Sequence, residues 1–255
     1  TPLLYRTSRH MSLTDAGQAA LARAASLLEE GQALEADLSE RVNALRGPIR
    51  VTAPVSFGIA HVAPLLPSFM LEHPEVTLDL HFNDQQVDLV AERFDLALRI
   101  ARLEDSSLLA RHLCQVPILL VASPAYLAQH GTPTHPSQLA QHEALTYAYS
   151  HASGGSWRFH HATQGDYTQL MNVRLRVNNA EALNSALVAG LGMALQPAFL
   201  VWEALQTGQL VAVMCDWQPP PISLHLVTPP HRTRPARVHA LIDHLASSFA
   251  QPPWS

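Results

Sequence analysis

The chain has 255 residues, 47% of them hydrophobic and 15% charged, which gives it enough apolar material for one large core or two smaller ones and excludes a disordered or fibrous chain. Sixteen basic residues against 21 acidic ones leave a formal net charge of −5, so nothing in the overall charge holds nucleic acid and any DNA contact has to be local. No apolar run reads as a membrane span, and the opening Thr1-Pro2-Leu3-Leu4-Tyr5-Arg6 has neither an initiator Met nor a signal-peptide pattern, so the chain is expected to begin inside a longer gene product.

Residues 14–46 read as one long helix. Thr14 caps it, Asp15 sits in its first turn, no proline interrupts it, and Gly47-Pro48 is expected to stop it. Its larger apolar residues, Leu21, Leu28, Leu38, Val42 and Leu45, fall near one narrow stripe between charged flanks. Such a seam is expected to pair with a second helix; a solvated connector helix is the plainer alternative.

From Ile49 onward, strands and helices alternate. Residues 49–53 read as a strand, 57–73 as a helix, 76–82 as a strictly alternating strand, 86–94 as a short amphipathic helix and 95–100 as a third strand. Crossovers this short make a parallel sheet with helices on both faces. Further strands are expected at 116–123, 145–149, 170–177, 210–213 and 222–228, with helices at 181–189 and 236–249. The length suggests two α/β lobes: 47–119 with 225–255, and 120–224.

Binding crevices in such sheets lie beyond the carboxyl ends of the strands. Ser56 and the backbone of Phe57 follow the first strand and offer an anion-binding helix start. Arg99 lies on the third strand as a carboxylate partner, and Asn179 begins a later helix. Taken singly, each has a plainer reading: Ser56 and Asn179 as caps, and Arg99 as an ion pair to Asp95 or Asp105. Their convergence at strand ends favours a binding site. Cys114 and Cys215 read as buried free thiols in a reducing compartment, with cytoplasm the expected location, and a thiol redox sensor would need a cationic neighbour that neither has. The 15 histidines lack metal-ligand spacing, so no metal and no cofactor is expected. An α/β hydrolase elbow and a glycine-rich phosphate loop are both missing, which argues against an enzyme.

The stretch Leu4-Tyr5-Arg6-Thr7-Ser8-Arg9-His10-Met11-Ser12-Leu13-Thr14-Asp15-Ala16-Gly17 resembles the wing that follows the recognition helix in LysR-type transcriptional regulators. Further stretches similar to that family follow in order, among them His73-Pro74-Glu75-Val76, Phe94-Asp95-Leu96-Ala97-Leu98-Arg99, Ala122-Ser123-Pro124-Ala125-Tyr126-Leu127 and Gly190-Leu191-Gly192-Met193-Ala194. The resemblance covers nearly the whole chain. It implies a wing remnant at 1–13, a dimerising linker helix at 14–46, and a two-lobed effector domain like a type 2 periplasmic binding protein. It also implies promoter DNA as a partner through helices upstream of Thr1, a homodimer or homotetramer, and no membrane association. Arg6 and Arg9 then become phosphate contacts, and Asp84, Gln85 and Tyr149 join Ser56, Phe57, Arg99 and Asn179 around a small-molecule effector, with a carboxylate favoured. A free solute-binding protein shares the two lobes but has no use for the long helix. One departure from the family pattern is Gln196 before Pro197, where an aliphatic residue is usual.

Overall fold

The computed structural model describes residues 2–6, 11–39, 45–85, 87–101, 109–149, 155–229 and 234–254. Strands β1 (Leu4–Arg6) and β2 (Met11–Leu13) form an antiparallel hairpin, and helix α1 (Asp15–Ser39) follows. Thr14 caps α1 by accepting the Gly17 N–H at 2.9 Å while donating its own hydroxyl to the Pro2 carbonyl. Gly17 is required there, because a Cβ would run into the Leu3 backbone where the helix start crosses the hairpin. Leu21 and Leu28 are 53% and 68% exposed, so that part of the seam has no partner within the described residues.

The first lobe is a five-stranded sheet in the order β4-β3-β5-β14-β6. Strand β3 (Arg46–Ala53) pairs in parallel with β4 (Glu75–Phe82) and β5 (Leu96–Ala101); β14 (Ile222–Thr228) then runs antiparallel between β5 and β6 (Leu109–Val116). Between β3 and β4 lie α2 (Val55–Phe57), a π-helical turn at Gly58–Val62, a 3-10 turn at Ala63–Leu65 and α3 (Leu66–Glu72). Helix α7 (Ala236–Ser248) lays Val238, Leu241, Ile242 and Leu245 on Ile49, Leu96, Leu98 and Leu226. This core mixes aliphatic side chains with Phe57, Phe69, Phe199, Phe249 and Trp254, Phe57 and Phe69 being fully buried.

The second lobe is a sheet in the order β11-β8-β12-β7-β13. It is formed by β7 (Ile118–Ala122), β8 (Glu143–Tyr147), β11 (Asn172–Val177), β12 (Met193–Pro197) and β13 (Val211–Ala212). A hairpin of β9 (Ser156–His161) and β10 (Gly165–Leu170) buries Trp157 and Phe159 against one face. Helices α4 (Pro124–His130), α5 (Leu183–Val188) and α6 (Ala198–Gln206) complete the lobe, with α5 preceded by a 3-10 turn at Ala180–Ala182. The chain passes between sheets at Pro117, which separates β6 from β7, and returns between β13 and β14. Phe199 of α6 joins the first lobe's core, its ring 5.2 Å from Phe57 and nearly perpendicular to it.

Several sequence expectations need correction. Arg46, Gly47 and Pro48 belong to β3 rather than to a helix and its stop, because Gly47 with φ of 102° turns the chain into register with Val76. Leu45 therefore packs against the first core and not on a helix seam. Leu38 lies within α1, and Val42 lies outside the described residues. Residue 86 also lies outside them, and 87–94 is not a helix: Asp88 accepts the Val90 and Ala91 N–H groups, and Arg93 at φ 58° ends the segment after one turn. Strands β6, β9, β10 and β12 and helices α4 and α6 were not expected. Val55–Glu72 is, contrary to expectation, long and apolar enough by composition to cross a membrane; its Phe57, Val62, Leu66 and Phe69 fill the first core instead.

Candidate functional site

At the end of β3, Pro54 turns the chain outward with φ −57° and ψ 144°, and it delivers Val55 and the buried Ser56 to the edge of the first sheet. At the end of β4, the Asn83 N–H bonds the Ala53 carbonyl, which sets Asp84 beside that turn. The Asp84 carboxylate then does two things: Oδ1 accepts the Val55 N–H at 2.9 Å, and Oδ2 accepts the amide of Asn179 at 3.0 Å. Asn179 precedes the 3-10 turn of the second lobe, and its Oδ1 accepts both the Glu181 N–H at 3.1 Å and the Ser56 hydroxyl at 3.2 Å. The oxygen of Asn179 caps its own turn, and both its oxygen and its NH2 reach the other lobe. A second bridge runs from Gln85 Nε2 to the Tyr149 hydroxyl at 3.1 Å.

Five of the seven expected crevice residues therefore meet across the lobes: Ser56, Asp84, Gln85, Tyr149 and Asn179. Ser56 is not the cap of its helix, since the residue in that position is Pro54 and it offers no side-chain bond. Asn179 is a cap and a bridge at once. The ring of Phe57 is fully buried in the core, and the amide that meets a carboxylate at this turn belongs to Val55. That carboxylate is the protein's own Asp84, seated where an external anion was expected.

Arg99 is not brought to this cluster. It is half-buried on β5, donates Nη2 to the Val87 carbonyl at 2.7 Å, and makes no ion pair among the described residues. Burial lowers its pKa. Its cross-strand neighbour is His225, whose ring stands 5.5 Å from His112, and burial and then His112 lower the His225 pKa. Arg99 holds the segment that follows Asp84 rather than the crevice floor. Arg6 closes β1, and Arg9 lies outside the described residues.

Tyr147 was missed. It lies two residues before Tyr149, their rings 5.7 Å apart and nearly perpendicular, and burial followed by the charges of Asp84 and Tyr149 pushes its hydroxyl far up, so it stays neutral beside the crevice. Tyrosines two apart at a strand end were the available signal. Among the described residues, no three His, Cys, Asp or Glu side chains gather as a metal site would need. Cys215 is exposed, contrary to expectation, and burial raises the half-buried Cys114 thiol, which lowers its thiolate fraction.

The family model of the LysR substrate binding domain matches residues 43–250. An uncharacterized HTH-type transcriptional regulator of Haemophilus influenzae is 32% identical over 240 residues, covering 93% of this chain and 82% of its own length. The chain belongs to the LysR family of transcriptional regulators. Among solved structures, full-length AphB, the virulence activator of Vibrio cholerae, superposes with a TM-score of 0.72 at 28% identity over 97% of this chain and 84% of its own. CrgA, a LysR-type regulator from Neisseria meningitidis, gives 0.71 at 28% identity over 98% and 84%. The two sheets are therefore those of a LysR regulatory domain with the periplasmic-binding-protein-like fold, and the Asp84–Asn179 contact spans its lobes.

Proposed function

We propose that this LysR-type regulator senses a small polar effector in the crevice lined by Ser56, Asp84, Gln85, Tyr149 and Asn179, and that occupancy resets the angle between its lobes. The carrying observation is the Asn179 amide, which holds Ser56 and Asp84 of the other lobe simultaneously. A ligand that replaces those bonds has a different affinity for each interlobe angle, which is what converts binding into a shape change.

A carboxylate effector fits by exchange. It takes the Val55 N–H from Asp84 Oδ1 and the Asn179 amide from Asp84 Oδ2, and Arg99 acts behind it by fixing Val87. The expected lobes, 47–119 with 225–255 and 120–224, shift by a few residues at both crossings, because all of β7 from Ile118 lies in the second sheet and all of β14 from Ile222 lies in the first. The exposed Leu21 and Leu28 support α1 as the dimerising helix. The β1–β2 pairing of Leu4–Arg6 with Met11–Leu13 supports reading 1–13 as the end of a wing, with Arg6 and Arg9 as DNA phosphate contacts. The regulator works in the cytoplasm as a homodimer or homotetramer on promoter DNA and is not an enzyme.

Calorimetric screening of small carboxylates against the wild type, Ser56→Ala and Arg99→Ala tests this. Loss of affinity in Ser56→Ala, and a weaker loss in Arg99→Ala, is expected. Binding that neither variant alters would remove the effector from this crevice.

A further inference from the structure

The face of the first sheet that lies away from α7 carries three basic side chains at one level. Val227 of β14 pairs with Ala97 of β5, and the two share a small apolar cluster with Leu89 and Phe94 of the segment that folds over this face. Two residues along each strand, and so on the same face, Arg99 pairs with His225, and His225 pairs in turn with His112 of β6. Neighbouring strands are about 4.8 Å apart, which keeps the three backbone positions within about 10 Å of one another. The His225 and His112 rings stand 5.5 Å apart. Arg99 and His225 are half-buried and His112 is exposed, so the row is open to solvent on the β6 side.

No carboxylate among the described residues pairs with this row: the ion pairs join Arg50 and His81 to Asp79, Arg111 to Asp243, and His160 to Asp166. Arg99 gives Nη2 to the Val87 carbonyl and turns no other donor to a described residue. The three groups oppose one another's charge. Burial depresses the Arg99 pKa, and burial followed by His112 depresses that of His225. In a chain of net charge −5, a half-buried guanidinium beside two imidazoles and no acid is a place where a bound anion relieves both the desolvation and the repulsion.

We infer that Arg99, His225 and His112 form an anion site on the first lobe, separate from the crevice, that takes a phosphate group, either free or on a small phosphomonoester. Donors drawn from three adjacent strands reach an anion from several sides, and a tetrahedral phosphate presents oxygens to all of them, whereas a flat carboxylate is used up by the guanidinium fork. Arg99 meets the phosphate with the donors that Val87 leaves over, and each imidazole adds one N–H. Val87 lies two residues after Gln85, which bonds Tyr149 of the other lobe, so an anion that draws Arg99 off Val87 also loosens the segment that carries a bridge between the lobes.

The test is calorimetry with inorganic phosphate and glycerol phosphate at constant ionic strength, titrated into the wild type, Arg99→Gln, His225→Leu, His112→Leu, Arg111→Gln and Ser56→Ala. Arg111 controls for lost charge alone, since it adjoins His112 on β6 but bonds Asp243 from the opposite face. Arg99→Gln is expected to weaken binding about tenfold or more and each histidine variant about fivefold, with Arg111→Gln and Ser56→Ala unchanged. Tighter binding of glycerol phosphate identifies a phosphomonoester as the ligand; equal or weaker binding identifies the free anion. In the wild type, phosphate should shift two histidine signals in proton–nitrogen correlation spectra, assigned by their absence from His225→Leu and His112→Leu, which decides the matter even if Arg99→Gln does not fold. The inference is overturned if phosphate does not bind, if binding is indifferent to Arg99→Gln and His225→Leu, if Arg111→Gln loses as much, or if those two signals stay still. Phosphate binding that falls in Ser56→Ala but not in His225→Leu puts the anion in the crevice, which removes this site and leaves the crevice reading standing. Phosphate binding with the expected pattern, in a protein whose carboxylate binding ignores Ser56→Ala, supports this site and removes the crevice reading alone.

Discussion

The link between Asp84 and Asn179 can be measured as a coupling energy between lobes. The bond is 3.0 Å long, charge-assisted and partly exposed. A hydrogen bond to a charged group contributes about 1.5–3 kcal/mol when buried, and solvent screening brings a half-exposed one down to about 1 kcal/mol. Asp84→Ala also frees the Val55 N–H, and Asn179→Ala also frees Ser56 Oγ and the Glu181 N–H, so each single change is expected to cost more, about 1–3 kcal/mol. For a chain of this size each kcal/mol lowers Tm by about 2–4 °C. Urea denaturation of the wild type, both single variants and the double variant gives the interaction term with these other losses cancelled. A coupling of about 1 kcal/mol is expected, with the double variant losing less than the sum of the singles. Additivity would refute the claim that these side chains join the lobes, whatever the singles cost.

Replacing Leu28 and Val42 by Glu should dissociate the helix pair, and sedimentation velocity should show lighter particles; an unchanged assembly would leave α1 without a dimerising role. Gly192→Ala places a Cβ 2.6 Å from the Glu143 carbonyl oxygen, between β12 and β8, and is expected to cost about 1–3 kcal/mol in chemical denaturation, a loss that Gly31→Ala, with open space around it, should not share. Acid should destabilise the fold. Burial lowers the pKa of His61, His142 and His225 below the ordinary 6.5. Over the window between those lowered values and about 6.5, the unfolded chain binds more protons than the folded one, so stability is complete above about 6.5 and is lost as pH falls through the lowered values. Tm measured across that window should drop on the acid side, and His142→Asn should flatten part of the drop; a Tm that rises on acidification would contradict the burial of these rings.

The sequence by itself determined whatever depends on neighbours along the chain. Alternation over Val76, Leu78, Leu80 and Phe82 gave β4, the apolar run at 222–228 gave β14 to the residue, and the capping Thr14 marked the start of α1. The alternation of strands and helices together with the length was enough for two α/β lobes, and strand ends were enough to single out Ser56 and Asn179, because crevices form there in any such sheet; Asp84, Gln85 and Tyr149 came from the resemblance to the family. What the sequence could not hold is which groups arrive from elsewhere. Arg99 satisfies the Val87 carbonyl instead of an effector because the turn after Asp84 folds over β5. Residues 87–94 stop after one turn because Asp88 captures their N–H groups, against a helical period. Leu45 leaves the helix seam for the first core, and Cys215 reaches the surface although Met214 and Trp217 on either side of Cys215-Asp216 are buried. Gln196 is buried and bonded only through partners far along the chain, its Nε2 donating to the Ala180 carbonyl and to Asn184 Oδ1. Local periodicity reports which face of an element is apolar; hydrogen-bond satisfaction is settled between segments far apart in sequence, and tertiary structure alone decides it.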